Sequence, residues 1–214
     1  MTQPVFPRHV NIGKLIIMIN IDWESKTRVE LLLHLIQKNS YSSYLEIGCD
    51  KNQVFNKIHL ENKEGVDPNR GGTLRMTSDE FFNNDFRKWD LIFIDGLHEY
   101  QQVSKDVLNA LDRLNDNGTI VIHDMLPTTP SQATHRPTER YWLGDVWRLG
   151  FDLMERSDIK FNIFKFDFGC GIITKSPQNS SLVVGKNETW EFYEQNYLKL
   201  PLITFNEYFN HASI

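Results

Sequence analysis

Covalent staples are nearly absent from this chain: only two of its 214 residues are cysteine, Cys49 and Cys170. They lie far apart in apolar settings, which predicts two buried thiols of a reducing compartment and not a disulfide framework. Long hydrophobic runs are missing as well. The most hydrophobic early stretch, LIIMINI at 15–21, is much shorter than the roughly 20 apolar residues of a membrane span. No small-residue cleavage site follows it, so the expectation is an unprocessed cytoplasmic protein without a membrane span. Positive charge is also in deficit, with 23 Lys and Arg against 28 Asp and Glu and a net charge of -5. That balance argues against nucleic acid as the main partner, because phosphate backbones leave a basic footprint on the proteins that bind them. A small neutral or cationic ligand is easier to accommodate.

What remains is ordinary for a globular chain: 40% hydrophobic and 24% charged residues, enough length to bury a core in one domain, and no internal repeat. The expected organisation is a single domain over 1–214, with an N-terminal helical segment (1–42), a core (43–175) and a C-terminal extension (176–214). Helical spacing of Val29, Leu32, Leu33 and Ile36 predicts an amphipathic helix over 24–38. Short apolar runs then alternate with helical ones. Strands are predicted at 43–48, 64–67, 90–95 and 119–124, with a further short one at 73–76. Helices are predicted at 51–62, from Ser78 onward, and at 99–114, with a turn at Asn117 and Gly118. Uniformly apolar strands in this order mean a mostly parallel α/β sheet covered on both faces. A long loop at 127–139 is followed by a predicted helix at 140–156. Strands at 159–167 and 168–175 would then form an antiparallel edge hairpin, turning at Asp167 to Gly169. The aromatic tail reads as a packed helix and extension.

In such sheets ligands bind beyond the carboxyl ends of the strands. Those ends carry Glu46, Gly48, Cys49 and Asp50 on the first strand and Asp67 on the second. The third leads to Ser78 and Asp79; then come Asp95 with His98 nearby, and finally His123 with Asp124. Gly48 with an acid about 20 residues on suits a dinucleotide, but the residues after Gly48 are Cys49, Asp50, Lys51, Asn52 and Gln53. Without further glycines a pyrophosphate cannot approach that backbone, and Asp50 would repel it. A ligand with a ribose and no phosphate fits better. S-adenosylmethionine is one: its ribose diol suits Asp67, its adenine amino group Asp79 or Ser78, and its sulfonium an acidic cleft. The alternative for Asp67 is a turn residue before Pro68.

The stretch from 43 to about 175 resembles the class I, Rossmann-like S-adenosylmethionine-dependent methyltransferases. YLEIGCDK is similar to their first motif, GVDPN to the acidic second-strand motif, and TSDEFF to the adenine-side segment. The block FIDGLHEY to VIHD resembles the small members that methylate sugar and other hydroxyls. The resemblance implies a Rossmann-like sheet of about seven strands and S-adenosylmethionine held by Glu46, Gly48, Asp50, Asp67, Ser78, Asp79 and Asp95. It also implies a small-molecule acceptor, a sugar, with His98 as general base and Asp95 beside it. A divalent metal, Mg²⁺ or Mn²⁺, on Asp95, His123 and Asp124 stays open, because His123 stands where those relatives carry a carboxylate. His98 and Glu99 could instead simply begin a helix, and we read Glu99 that way. The loop and helix start beyond the fifth strand supply His135, Arg136, Tyr141, Trp142 and Asp145 as candidate acceptor contacts, while Trp147 reads as core. A nicotinamide-dependent oxidoreductase and a non-catalytic S-adenosylmethionine-binding relative remain as alternatives, and homodimerisation stays open.

Overall fold

A computed structural model describes residues 19–138, 140–176 and 188–210. The expected extension therefore lies partly outside the described residues. Seven strands form one sheet in the order β2-β1-β3-β4-β6-β5-β7. They are β1 (Ser43–Ile47), β2 (Asn62–Val66), β3 (Trp89–Ile94), β4 (Leu114–Ile122), β5 (Ile159–Phe164), β6 (Cys170–Lys175) and β7 (Leu202–Ile203). The first four are mutually parallel, and β6 runs antiparallel to both β4 and β5. The expected parallel sheet with its hairpin is present, although β6 of that hairpin is an inner strand and the two-residue β7 lies beyond β5 at the rim.

Alternate side chains of each strand enter opposite cores, so each strand must be apolar throughout. Leu45, Ile47, Ile92, Ile94, Ile120 and Ile122 pack on one face, under helices α2 (Ser78–Asn84), α3 (Tyr100–Asp112), α4 (Trp147–Leu153) and α5 (Trp190–Asn196). Tyr44, Leu91, Phe93 and Val121 pack on the other, with α1 (Arg28–Asn39) and the partly buried aromatics of α6 (Phe205–Asn210). Each fully buried Leu, Ile or Phe contributes about 1.5–3 kcal/mol. Helix starts are written locally: Thr27 with Glu30, and Thr77 with Glu80, form capping boxes at α1 and α2.

Four expectations need correction. Residues 51–62 do not form a helix and contain only a 3₁₀ turn at Phe55–Lys57. Asp50 and Asn52 adopt left-handed φ of 42° and 60°, and Lys63 Nζ takes the carbonyls of Phe55 and Ile58 that a helix would have used. Val54, Phe55 and Ile58 are buried, so their helix-like spacing reflects a tight loop packed on the sheet. The stretch at 73–76 contributes a single bridge, Leu74 to Val66. The helix expected over 140–156 is confined to Trp147–Leu153, because residues before it fold back over His98 with Gly144 at φ 70°. The turn at Asn117 and Gly118 lies inside β4 as an irregularity: Leu114 pairs with Trp89 and Thr119 with Leu91.

Candidate active site

Beyond the carboxyl ends of β1, β3 and β4 opens a cavity of about 770 Å³. Its floor exists because β1 and β3 approach closely at their tips. A Cβ on Gly48 would stand 2.2 Å from the Asp95 carbonyl oxygen, and the residue has φ 88°, so only glycine fits there.

Asp95 follows β3, with its amide donating to Ile47 O, and His123 and Asp124 follow β4, with the His123 amide donating to Ile94 O. The two strand tips bring four side chains together. His98 Nε2 lies 3.4 Å from Asp95 Oδ1 and 3.2 Å from Asp124 Oδ2. His123 Nδ1 lies 3.3 Å from Asp95 Oδ1 and 3.1 Å from Asp124 Oδ1. That nitrogen is buried and makes no aligned hydrogen bond, so its contacts are ionic. Burial alone would raise the Asp95 pKa, but the charges of both imidazoles, His123 foremost, hold it well below the usual range. Burial likewise opposes protonation of the histidines. The carboxylates prevail, raising His98 above its ordinary value and His123 well above it.

Two residues that the sequence reading missed complete this cluster. Asp167, in the β5–β6 turn, faces His123 Nε2 at 3.5 Å. Arg28, the first residue of α1, donates to Asp167 through its backbone amide at 2.8 Å and through Nη1 to both carboxylate oxygens, at 2.9 and 3.0 Å. Its Nε lies 3.7 Å from Asp95 Oδ2. The Asp167 pKa falls to about 2: burial pushes it up, but the hydrogen bonds and charges of His123 and Arg28 pull it further down. A cation in the first turn opposes the helix dipole and calls for an anionic partner.

At the other end of the cavity Asp67 spends its carboxylate on the chain itself. Oδ2 accepts the amides of Cys49 (3.1 Å) and Asp50 (2.9 Å), and Oδ1 those of Asn69 (2.8 Å) and Arg70 (2.9 Å). Burial raises its pKa less than these four amides lower it. Asp67 therefore ties the loop after β1 to the loop after β2, and both loops line the cavity. Asp50 pairs with Arg70. Glu46, 1% exposed, accepts from the Tyr44 hydroxyl, and burial lifts its pKa to about 7.

Ser78 and Asp79 are joined by Gln102, a further residue the sequence reading missed. Its Nε2 lies 3.2 Å from Ser78 Oγ, 3.0 Å from Asp79 Oδ1 and 3.1 Å from Asp106 Oδ1. Asp79 also binds Lys105 at 2.7 Å. Asp106 is buried, which raises its pKa to about 6.

Of the candidate acceptor contacts, Tyr141 and Trp142 line the cavity, together with Arg140 and Phe168. The Trp142 ring lies 5.2 Å from that of His98, and its carbonyl oxygen 3.4 Å from His98 Nδ1. Tyr141 stacks on Phe168 at 6.0 Å. His135, Arg136 and Asp145 are not part of that wall. Asp145 is buried and accepts the Tyr100 amide at 2.6 Å, where α3 starts, with His135 and Arg148 each 3.5 Å away. Glu99 is the residue preceding α3, in keeping with a helix-start role.

Residues 28–125 match a family described as a methyltransferase domain. By that match, residues 28–125 form a methyltransferase domain. No curated protein matches it by sequence. Among solved structures, an O-methyltransferase from Klebsiella pneumoniae, provisionally so described, aligns with a TM-score of 0.52 at 12% identity, over 73% of this chain and 84% of that one. A Staphylococcus aureus protein provisionally described as a caffeoyl-CoA O-methyltransferase gives 0.51 at 17% identity, over 73% and 86%. A Corynebacterium glutamicum protein gives 0.51 at 13%, over 77% and 86%. At such identities the likeness concerns the fold, and it bears out the Rossmann-like sheet expected for 43–175. The family match favours a methyltransferase over the nicotinamide-dependent oxidoreductase kept as an alternative. Among the described residues no helix is long and apolar enough to cross a membrane.

Proposed function

We propose that this methyltransferase moves the methyl group of S-adenosylmethionine to a hydroxyl of a small molecule, a sugar. The observation that carries the reading is His98, held between Asp95 and Asp124 with its Nε2 at the two strand tips that line the cavity. A sugar hydroxyl is a weak nucleophile, so transfer requires a base within reach. In the proposed step the acceptor oxygen bonds to the methyl carbon as the carbon–sulfur bond breaks. The hydroxyl proton passes to His98 Nε2, and neutral S-adenosylhomocysteine leaves. In-line placement of oxygen, carbon and sulfur supplies much of the remaining acceleration.

The cofactor would lie across the loops tied by Asp67, over the Gly48 floor, with its adenine toward Ser78, Asp79 and Gln102. Glu46, Asp50 and Asp95 would give the sulfonium an acidic surround. Asp67 supports this reading as the residue that shapes the ribose loop, since its oxygens already accept four amides.

A second reading has an observation of its own. Ligand atoms of Asp95, His98 and Asp124 lie within 4.8 Å of one another, a donor set that fits a divalent ion. Mg²⁺ or Mn²⁺ bound there would lower the pKa of an acceptor hydroxyl. His98 would then serve as a ligand in place of a base. His123, expected as a ligand beside Asp95 and Asp124, is not in that set, and its Nε2 also meets the Arg28 guanidinium at 3.4 Å.

Calorimetry with S-adenosylhomocysteine tests the cofactor, and absence of binding would sink the proposal. A panel of sugar acceptors, assayed for S-adenosylhomocysteine with Mg²⁺, with Mn²⁺ and after chelation, separates the two readings. Binding without turnover of any acceptor would support a non-catalytic relative.

A further inference from the structure

Several carboxylates around the cavity already have partners. Asp67 accepts four amides, Asp79 binds Lys105 and Gln102, and Asp95 and Asp124 face the imidazoles of His98 and His123. Arg28, on the same wall, is engaged by Asp167. Arg140 is different. It lines the cavity, its guanidinium lies 5.5 Å from the Tyr141 ring centroid, and among the described residues no carboxylate comes within 4.0 Å of it. Among the described residues its guanidinium therefore has no carboxylate partner, in a protein whose net charge is -5.

Its surroundings give this cation a location relative to the chemistry. Trp142 backs His98 at 5.2 Å, and Phe168 lies 6.5 Å from His123 and 6.0 Å from Tyr141. The Tyr141 ring, 56% exposed, thus continues the wall that starts at the proposed base and ends beneath Arg140. A ring lying on Tyr141 with one hydroxyl at His98 would present its far substituent to the guanidinium. Arginine is well suited to a carboxylate or phosphate there, because its planar fork makes paired charge-assisted hydrogen bonds.

We propose that the acceptor is an anionic sugar whose carboxylate or phosphate pairs with Arg140 while its ring rests on Tyr141. This rests on the hydroxyl-methylation reading and narrows it to an acceptor class. Transfer itself is unchanged: the anionic group remains intact and only the hydroxyl proton is lost.

The test compares a hexuronate, a hexose phosphate and the matching neutral hexose, using wild-type protein and Arg140→Gln. Turnover is read as S-adenosylhomocysteine formed, and binding as ligand-observed NMR with the protein saturated in S-adenosylhomocysteine. One or both charged sugars should be favoured over the neutral one by roughly five- to tenfold, the scale of a partly exposed charge-assisted pair. Arg140→Gln should erase that preference, bringing the charged sugars to the level of the neutral one in the same variant. Which charged sugar is favoured identifies the anion. Equal treatment of charged and neutral sugars, or a preference that survives Arg140→Gln, overturns the inference. Arg140-dependent binding of the anion without any turnover would uphold it while removing the hydroxyl-methylation reading beneath it.

Discussion

Gly144 sits against His98 so closely that a Cβ on it would stand 1.8 Å from the His98 carbonyl oxygen. The Asp145 amide donates to that same oxygen at 3.2 Å, and Trp142 closes over the imidazole. The 142–145 segment is therefore the mount of the proposed base. Gly144→Ala adds both the clash and a strained φ near 70°. A displacement of about 1 Å costs on the order of 100-fold in rate. We expect kcat to fall by about that factor while calorimetric affinity for S-adenosylhomocysteine stays as in wild type. Equal loss of both would mean general unfolding and refute the mounting role.

The same residue predicts a pH profile. Asp95 and Asp124 raise the His98 pKa despite its burial, and a general base acts only when neutral. Activity should accordingly rise with pH through a value above the ordinary 6.5 and level off beyond it. His98→Gln should abolish the rise and lower kcat by about 100- to 10,000-fold. A metal-free wild-type profile that is flat from pH 6 to 9 would contradict the base assignment.

The tips of β3 and β4 were legible in the sequence because each closes a continuous apolar run, which predicts a buried strand and so places the next polar residue in the cleft. Asp95, His98, His123 and Asp124 were found that way. The Arg28–Asp167 pair was not, since its partners are 139 positions apart and come from a helix start and a hairpin turn. No periodicity relates such residues; only the closed fold does. Residues 51–62 misled for a complementary reason. Val54, Phe55 and Ile58 keep a helical spacing, but the left-handed Asp50 and Asn52 and the anchoring of Asp67 to the loop fix a different path.

Arg28 and Asp167 should be coupled in stability as well as in position. Their side chains are 23% and 15% exposed, so the pair is only partly shielded from water. Removing either partner leaves a charge inside the cluster, at a cost of about 2 kcal/mol, below the range for fully buried pairs. For a chain of this size that lowers Tm by about 4–8 °C. Arg28→Met with Asp167→Asn should lose clearly less than the sum of the single changes, measured by thermal unfolding. Strict additivity would mean that the two act independently.

Glu46 should tie stability to pH in the direction opposite to most carboxylates. Burial beside Tyr44 raises its folded pKa to about 7, from 4.5 for an ordinary glutamate. The folded state therefore holds this proton more tightly than the unfolded chain does. Its contribution is complete below about pH 4.5, is lost progressively as pH rises, and is gone above about 7. The span corresponds to about 3 kcal/mol. Glu46→Gln keeps the shape and removes the titration. The difference in unfolding free energy between wild type and variant should then shift by that order between pH 4.5 and 7.5 and stay constant above. Other titrating groups, His98, His123 and Asp106 among them, are common to both proteins and largely cancel in the difference. A pH-independent difference would place the Glu46 carboxylate in a solvated setting and remove it from the closed floor of the cavity.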